Sequence, residues 1–431
     1  MLPEDFSEKL RQAFTLKQNG NWQGALDLYE SAYVDESKQF DQNLVLSLLS
    51  CLKKLERFDR AIEIGLTACE HEGHWEAVAS LTAWCVYYRY FRQENRLPAE
   101  QAVEWLETIK RISPLKQGLH PLPLAVFSFL AKSPDLLPAL VIQICGLLDT
   151  DLLETTPQPS NKPGVLYPSH REKHASLLSK ALFNLGDYAS CLDLCSNTLN
   201  RNLKLSTNAD VWFKRRSALC LAKLGDYRTA LDLYEEILKR KRDWFILYEA
   251  ALAAYRLDLF DRSLALALQA ANAYGEPDTK IHLWELLQNL MARNKEFDRS
   301  IEMLRLCAAI RKQRQWSLDR NLLLDLQAHN IDPDKLPPYK EILANCRSWL
   351  APRQSEGQKE LSGIVTKLLP HGKAGFLKSG ADSYYFLVSQ CQFHAEDVQP
   401  GMKVCFRTQP SFDKKKQQAS LMAVRIRKIK D

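Results

Sequence analysis

The chain has 431 residues, of which 46% are hydrophobic and 10% aromatic, with 58 Lys plus Arg against 52 Asp plus Glu. That composition excludes a disordered or low-complexity chain and leaves room for about two to four domains. It contains no run of about 18 apolar residues, so no membrane span is expected.

The N-terminal Met1-Leu2-Pro3-Glu4-Asp5-Phe6 is acidic and lacks the pattern of a secretory signal. Eleven cysteines is an odd number. Cys51, Cys69, Cys85, Cys145 and Cys220 sit in apolar helical patterns, as buried free thiols of a reducing compartment do, and a cytoplasmic protein is expected. The net charge of +6 is unevenly spread. Residues 360–431 hold 12 Lys plus Arg against six Asp plus Glu, and the preceding 359 residues balance. The surplus points to an anionic partner for the C-terminal segment.

Residues 1–115 open with two copies of one phrase. Gly20-Asn21-Trp22 is followed by Ala25, Leu26, Tyr29 and Ala32. Glu56-Arg57-Phe58 is followed by Ala61, Ile62, Gly65 and Ala68. A degenerate copy keeps the spacing at Ala102, Val103, Leu106, Ile109 and Pro114. The aromatic run from Trp84 to Phe91 has helical spacing, which predicts core packing rather than a base-stacking surface. Residues 116–170 fit the phrase poorly. Apolar pieces there are interrupted by Pro121, Pro123, Pro134 and Pro138, and the prolines of 154–169 predict a loop or hinge. His170 and His174 lie at i, i+4, a spacing that can hold a metal on one helix face. With no third ligand evident, a solvated first helical turn is expected, and no metal.

Residues 171–345 repeat the phrase four times, at Gly186, Gly225, Asp258 and Lys295. The fullest copy runs from Leu224 to Leu238. Gly225 suits the left-handed residue that closes one helix, and Asp226 can cap the next. Ala230, Leu231, Leu233, Tyr234, Ile237 and Leu238 then form one apolar stripe. Cys191 and Cys195 fall at packing positions of this phrase rather than as metal ligands. Successive starts differ by 36, 130, 39, 33 and 37 residues, and a period in the middle thirties marks helix-turn-helix repeats. The pattern resembles the tetratricopeptide repeat. Basic clusters stand at Lys214-Arg215-Arg216, Lys239-Arg240-Lys241-Arg242 and Arg311, Lys312 and Arg314. The second closes a helix, where cations complement the dipole; for it and the third a nucleic-acid contact is the lesser alternative.

Residues 346–360 read as a linker. From 361 to 431 the pattern changes to five short β-type runs separated by turn residues. Gly363-Ile364-Val365, Lys373-Ala374-Gly375-Phe376-Leu377, Tyr384-Tyr385-Phe386-Leu387-Val388-Ser389 and Pro400-Gly401-Met402-Lys403-Val404-Cys405-Phe406 resemble, in order and spacing, a cold-shock domain, an OB-type barrel. The resemblance implies single-strand binding by stacking on Phe376 and Tyr385 beside Lys373. It departs from the family at Ala374, at Leu368 or Leu369, and at Leu387 and Val388, where stacking side chains are usual. Each lost partner removes about 1–3 kcal/mol. Lys414-Lys415-Lys416, Arg425 and Arg427 supply phosphate-neutralising charge that carries no sequence information.

The expected architecture is mainly α, a helix-turn-helix solenoid in two blocks plus a small C-terminal β-barrel. The chain has no P-loop, Rossmann glycine pattern, His-Glu-x-x-His or nucleophile elbow. A non-enzymatic adaptor without cofactor is therefore expected. Its repeats would hold a protein or peptide in their groove, and its barrel RNA or single-stranded DNA. A scaffold whose barrel has lost nucleic-acid binding is the alternative.

Overall fold

A computed structural model describes residues 4–33, 41–71, 75–94, 96–116, 118–200, 204–350, 361–370, 372–380, 382–391, 393, 397–413 and 418–429. The chain divides into two compact units, Met1–Leu286 and Leu287–Asp431. No helix of the described residues is long and apolar enough to cross a membrane.

The first unit begins with the pairs α1 (Glu4–Gln18) and α2 (Trp22–Tyr33), then α3 (Gln42–Lys54) and α4 (Phe58–His71). Helix α5 (Glu76–Val86) runs into a π-helical turn, Tyr87–Phe91, before α6 (Ala99–Ile112). Helices α7 (Pro121–Lys132) and α8 (Pro138–Cys145) follow. Of the prolines predicted to interrupt this stretch, Pro134 lies in the turn between two helices, whereas Pro121 and Pro138 each start one. Pro121 and Pro138 occupy first-turn positions, where a missing N–H costs nothing. His120 caps α7: its Nδ1 accepts from the Leu122 N–H at 3.1 Å, and its Nε2 lies 3.1 Å from Ser113 Oγ.

The predicted loop at 154–169 contains a two-rung antiparallel ladder, β1 (Gln158–Pro159) on β2 (Leu166–Tyr167). The expected solvated turn at His170 and His174 is corrected. His174 is buried, and its Nε2 donates to the carbonyl of Cys145 at 3.1 Å, which ends α8. His170 packs on Phe127 with centroids 5.3 Å apart. Packing of α8 against this turn removes the water that sequence reasoning had placed there.

The pairs α9 (His170–Leu185) and α10 (Tyr188–Asn200), α11 (Ala209–Leu224) and α12 (Tyr227–Leu238), and α13 (Trp244–Arg256) and α14 (Phe260–Asn272) complete this unit up to α15 (Ile281–Arg293). Beyond α15 lie α16 (Phe297–Gln313), α17 (Arg320–Ala328) and α18 (Tyr339–Leu350).

Each phrase found in the sequence starts on a left-handed residue: Gly20, Glu56, Gly186, Gly225, Asp258 and Lys295 have φ of 78°, 58°, 90°, 92°, 57° and 60°. Asn21, Asp187 and Asp226 then cap the next helix by accepting from the N–H three residues on. Five residues into each phrase stands a small side chain: Ala25, Ala61, Cys191, Ala230, Ser263 or Ser300. Where that side chain is polar it bonds back to the first helix twelve residues earlier. Cys191 Sγ, Ser263 Oγ and Ser300 Oγ donate to the carbonyls of Ser179, Ala251 and Gln288 at 3.1, 2.8 and 3.0 Å. The small residue thus permits close approach of two helices, and its hydroxyl or thiol adds a bond across it.

The basic clusters of the second block mostly join neighbouring helices. Lys214 pairs with Glu236, Arg240 with Asp210, and Lys312 with Asp334. Arg215 grips Glu249 through Nε at 2.9 Å and through Nη2. Burial pushes the Glu249 carboxyl up, against the pull of that guanidinium. All eleven cysteines are free thiols, eight of them buried. Burial pushes the thiols of Cys85 and Cys145 up to about 12.

The last strands close a barrel in the order β3 (Leu361–Leu368), β4 (Ala374–Ser379), β5 (Asp382–Leu387), β7 (Gln418–Lys428), β6 (Lys403–Asp413), with β6 returning to β3. All pairs are antiparallel except β5 with β7. Val365, Leu377, Phe386, Val404, Phe406, Ala423 and Ile426 fill the interior. Gly375 is required by close approach, since a Cβ there would lie 2.8 Å from the Phe386 ring and 2.5 Å from the Lys367 carbonyl. Of the linker expected at 346–360, residues 346–350 are the last turn of α18, and 351–360 lie outside the described residues.

Candidate functional site

The outward face of β3, β4 and β5 gathers the aromatics singled out in the sequence. Strand alternation puts Phe376 outward between the buried Gly375 and Leu377. It puts Tyr385 outward between the buried Tyr384 and Phe386. The register pairs Phe376 with Tyr385, and their rings meet edge to face at 5.7 Å. Phe376 remains 36% exposed.

Two cations missed by sequence reasoning flank these rings. Lys367 lies opposite Phe376 on β3, and Lys378 lies two residues beyond it on β4; both are exposed. A bulge at Thr366 puts Lys367 in that row, and the Thr366 hydroxyl donates to the Phe376 carbonyl at 3.0 Å. Alternation from Phe376 would have found Lys378. No local signal announces the bulge.

Lys373 is exposed in the β3–β4 turn, just after left-handed Gly372. Arg427 is exposed on β7, five residues past Met422, which pairs with Tyr385. At about 3.3 Å per residue it stands roughly 17 Å along the strand from the aromatic row. Arg425 is on the same strand, and Lys414, Lys415 and Lys416 lie outside the described residues. The face therefore unites Phe376, Tyr385, Lys367 and Lys378, with Lys373 at its margin, and leaves Arg427 apart. Of the positions that depart from the cold-shock pattern, Ala374 and Val388 are buried and Leu368 and Leu387 are half-buried.

In the second repeat block a cavity of about 380 Å3 is lined by Glu172, Ser176, Thr207, Trp212, Arg215 and Arg216. Trp212 is 39% exposed and stacks on Phe245 at 6.2 Å. Lys241 Nζ lies 5.2 Å from the Trp212 ring centroid. Glu172 is held by the Ser206 backbone N–H at 2.7 Å and by the Ser206 hydroxyl at 2.5 Å. Arg216 donates to Ser179 Oγ at 2.5 Å. The polar lining is thus largely occupied within the fold, and Trp212 is its large exposed apolar surface.

A family model described as "Domain of unknown function (DUF7017)" matches residues 211–336. Curated proteins give no match. Among solved structures, the chain is similar to a MamA RS-1 ArsTM double mutant, with 14% identity over 50% of this chain and 96% of that one and a TM-score of 0.31. A tetratricopeptide repeat protein from Parabacteroides merdae shows 10% identity over 75% of this chain and 98% of that one, with a TM-score of 0.28. A thermophilic TPR protein of Thermus thermophilus shows 14% identity over 65% of this chain and 98% of that one, with a TM-score of 0.21.

Proposed function

We propose that the chain is a non-enzymatic adaptor. Its tetratricopeptide-like repeats hold a protein or peptide, and its cold-shock-like barrel holds RNA or single-stranded DNA without reading sequence. The observation that carries the nucleic-acid half is the pairing of Phe376 with Tyr385 on the outer face, flanked by exposed Lys367 and Lys378. Two adjacent half-exposed rings give stacking surface for about two bases, each worth about 1–3 kcal/mol. The lysines add phosphate contacts that weaken as salt rises. The strand order, with its single parallel pair between β5 and β7, agrees with an OB-type barrel. For the repeats, the cavity beside Trp212 supplies an exposed aromatic anchor for a peptide side chain.

The test is titration of the full chain into labelled oligo-uridine and oligo-deoxythymidine at rising salt. Replacing Phe376 and Tyr385 with Ala should weaken binding at every salt concentration. Replacing Lys367 and Lys378 with Gln should flatten the salt slope by about 0.7 for each lost contact. An oligonucleotide that ignores all four changes would refute this face. The alternative reading is a barrel that meets protein only, through Phe376, Tyr385 and Leu387, and the exposed Ile364 and Leu421 add apolar surface to it. It is favoured if no single strand binds at low salt.

A further inference from the structure

The N-terminal repeats hold a pocket that belongs neither to the barrel face nor to the cavity beside Trp212. About 430 Å3 in volume, it opens where the turns of the first two helix pairs meet α5 and the π-turn. Four cations line it. Lys17 stands in the last turn of α1, Lys53 and Lys54 in the last turn of α3, and Arg92 directly after the π-turn. Glu56 is the one carboxylate in the lining, so the local balance is +3.

Three of the four cations rest on rings rather than on carboxylates. Lys53 Nζ and Arg92 Cζ each lie 5.2 Å from the Tyr88 ring centroid, and Lys54 Nζ lies 5.9 Å from that of Trp22. Tyr88 itself stacks between Phe58, at 5.9 Å, and Trp84, at 5.8 Å. Among the described residues these four cations form no ion pair with a carboxylate. A ring face attracts a cation through its quadrupole and takes none of its N–H groups in a directional bond. Those N–H groups therefore remain for the oxygens of an anion.

Helix-end lysines ordinarily complement the dipole, which accounts for Lys53 and Lys54. It does not account for Arg92, nor for the half-exposed rings of Trp22, Phe58 and Tyr88. The aromatic run was expected to be core. Only Cys85, Val86 and Phe91 of it are buried, because the π-turn breaks the helical spacing and turns Tyr87, Tyr88 and Tyr90 partly outward. π-turns are frequent at functional sites, and this one leaves Tyr87, Tyr88 and Tyr90 half-buried.

We propose that this pocket binds a nucleotide, an aromatic base carrying two or more phosphate groups. The volume falls within the range of small-molecule sites, about 300–1,000 Å3, and far exceeds a lone phosphate. A lining of +3 matches the charge of about −3 on a nucleoside diphosphate at neutral pH. The half-exposed rings of Trp22 and Phe58 suit a base, with Tyr88 fixed between Phe58 and Trp84 as their support, whereas an acidic peptide would satisfy the cations and leave the rings unused. The pocket lies in the Met1–Leu286 unit, and the proposal does not rest on the barrel reading.

The full chain should be titrated with ADP, adenosine, pyrophosphate and an acidic hexapeptide, by calorimetry and tryptophan fluorescence. ADP is expected to bind about tenfold or more tightly than either adenosine or pyrophosphate. Lys53→Met, which keeps the aliphatic stem over Tyr88, and Arg92→Gln should each weaken ADP by about tenfold with unchanged thermal unfolding. Trp22→Leu should abolish the preference for ADP over pyrophosphate. A barrel variant with Phe376 and Tyr385 replaced by Ala should bind ADP as the parent does. Four results would each overturn the proposal: equal affinity for pyrophosphate and ADP, tighter binding of the acidic peptide, no ADP bound at about 1 mM, or loss of ADP in the barrel variant alone.

Discussion

Replacing Gly65 with Ala tests whether close helix approach governs the N-terminal repeats. Gly65 lies in α4 against Thr82 of α5, and both are buried. A Cβ on Gly65 would overlap Thr82 Oγ1 outright and stand 2.9 Å from both its Cβ and its Cγ2. Rotating Thr82 moves the hydroxyl and the methyl but not the Cβ. That contact is short of the ordinary carbon separation of about 3.5–4.0 Å, so the two helices must part. Overpacking of this kind costs about 1–3 kcal/mol, offset by about 1 kcal/mol because Ala favours a helix over Gly. With three atoms in conflict the overpacking belongs at the upper end, leaving a net loss of about 2 kcal/mol. Thr82→Ala alone removes the Oγ1 bond to the Val78 carbonyl, 2.8 Å long, and should cost about 1 kcal/mol. The double variant loses the Oγ1 and Cγ2 conflicts but keeps the 2.9 Å approach of the two Cβ atoms, so it should recover only part of the loss, a coupling of about 1 kcal/mol. A chain of two compact units has no single unfolding free energy, so the readout is hydrogen exchange of α4 and α5 amides. Additive effects within about 0.5 kcal/mol, or a Gly65→Ala chain as protected as the parent, would refute the argument.

The left-handed turns make a matched pair of predictions. Lys295→Gly relieves a left-handed residue and should stabilise its turn by about 0.5–1 kcal/mol. Gly225→Ala, where added atoms meet open space, should cost a similar amount from backbone strain alone. Both are read from local exchange protection. Acid should loosen the α8–α9 junction. Burial holds His174 below its ordinary value, so the unfolded chain takes up the proton first and stability falls as pH drops below about 6.5. His174→Gln should flatten that dependence, measured as exchange of α9 amides between pH 7 and 5. Finally, iodoacetamide on the native chain should modify at most Cys69, Cys391 and Cys405, since the other eight thiols are buried. Mass spectrometry counts them.

The repeats were legible because one position in each phrase must be left-handed and another must be small. Gly225 and Ala230 state both needs, and Asp258, Lys295 and Glu56 obey the first without the glycine. The barrel was legible from alternation, which placed Phe376 and Tyr385 outward and together. What escaped depended on single-residue register. The bulge at Thr366 brought in Lys367, and the π-turn at Tyr87–Phe91 turned an expected core stripe into a half-open aromatic cluster. His174 escaped for another reason: its cover comes from a helix 29 residues away in sequence, which local periodicity does not report.

The π-turn also ties the N-terminal pocket to chain length. Its last carbonyl, on Phe91, is turned toward α7, where it accepts from Ser128 Oγ and Lys132 Nζ, both at 2.6 Å. One residue fewer between Tyr87 and Phe91 would restore an ordinary helix and swing everything beyond it by about 100°. Arg92 would leave Tyr88, and the two α7 donors would lose their acceptor. The stretch thus acts as a one-residue shim, and related chains that differ by a single insertion or deletion there should differ abruptly in what the pocket holds, however alike the rest of their helices.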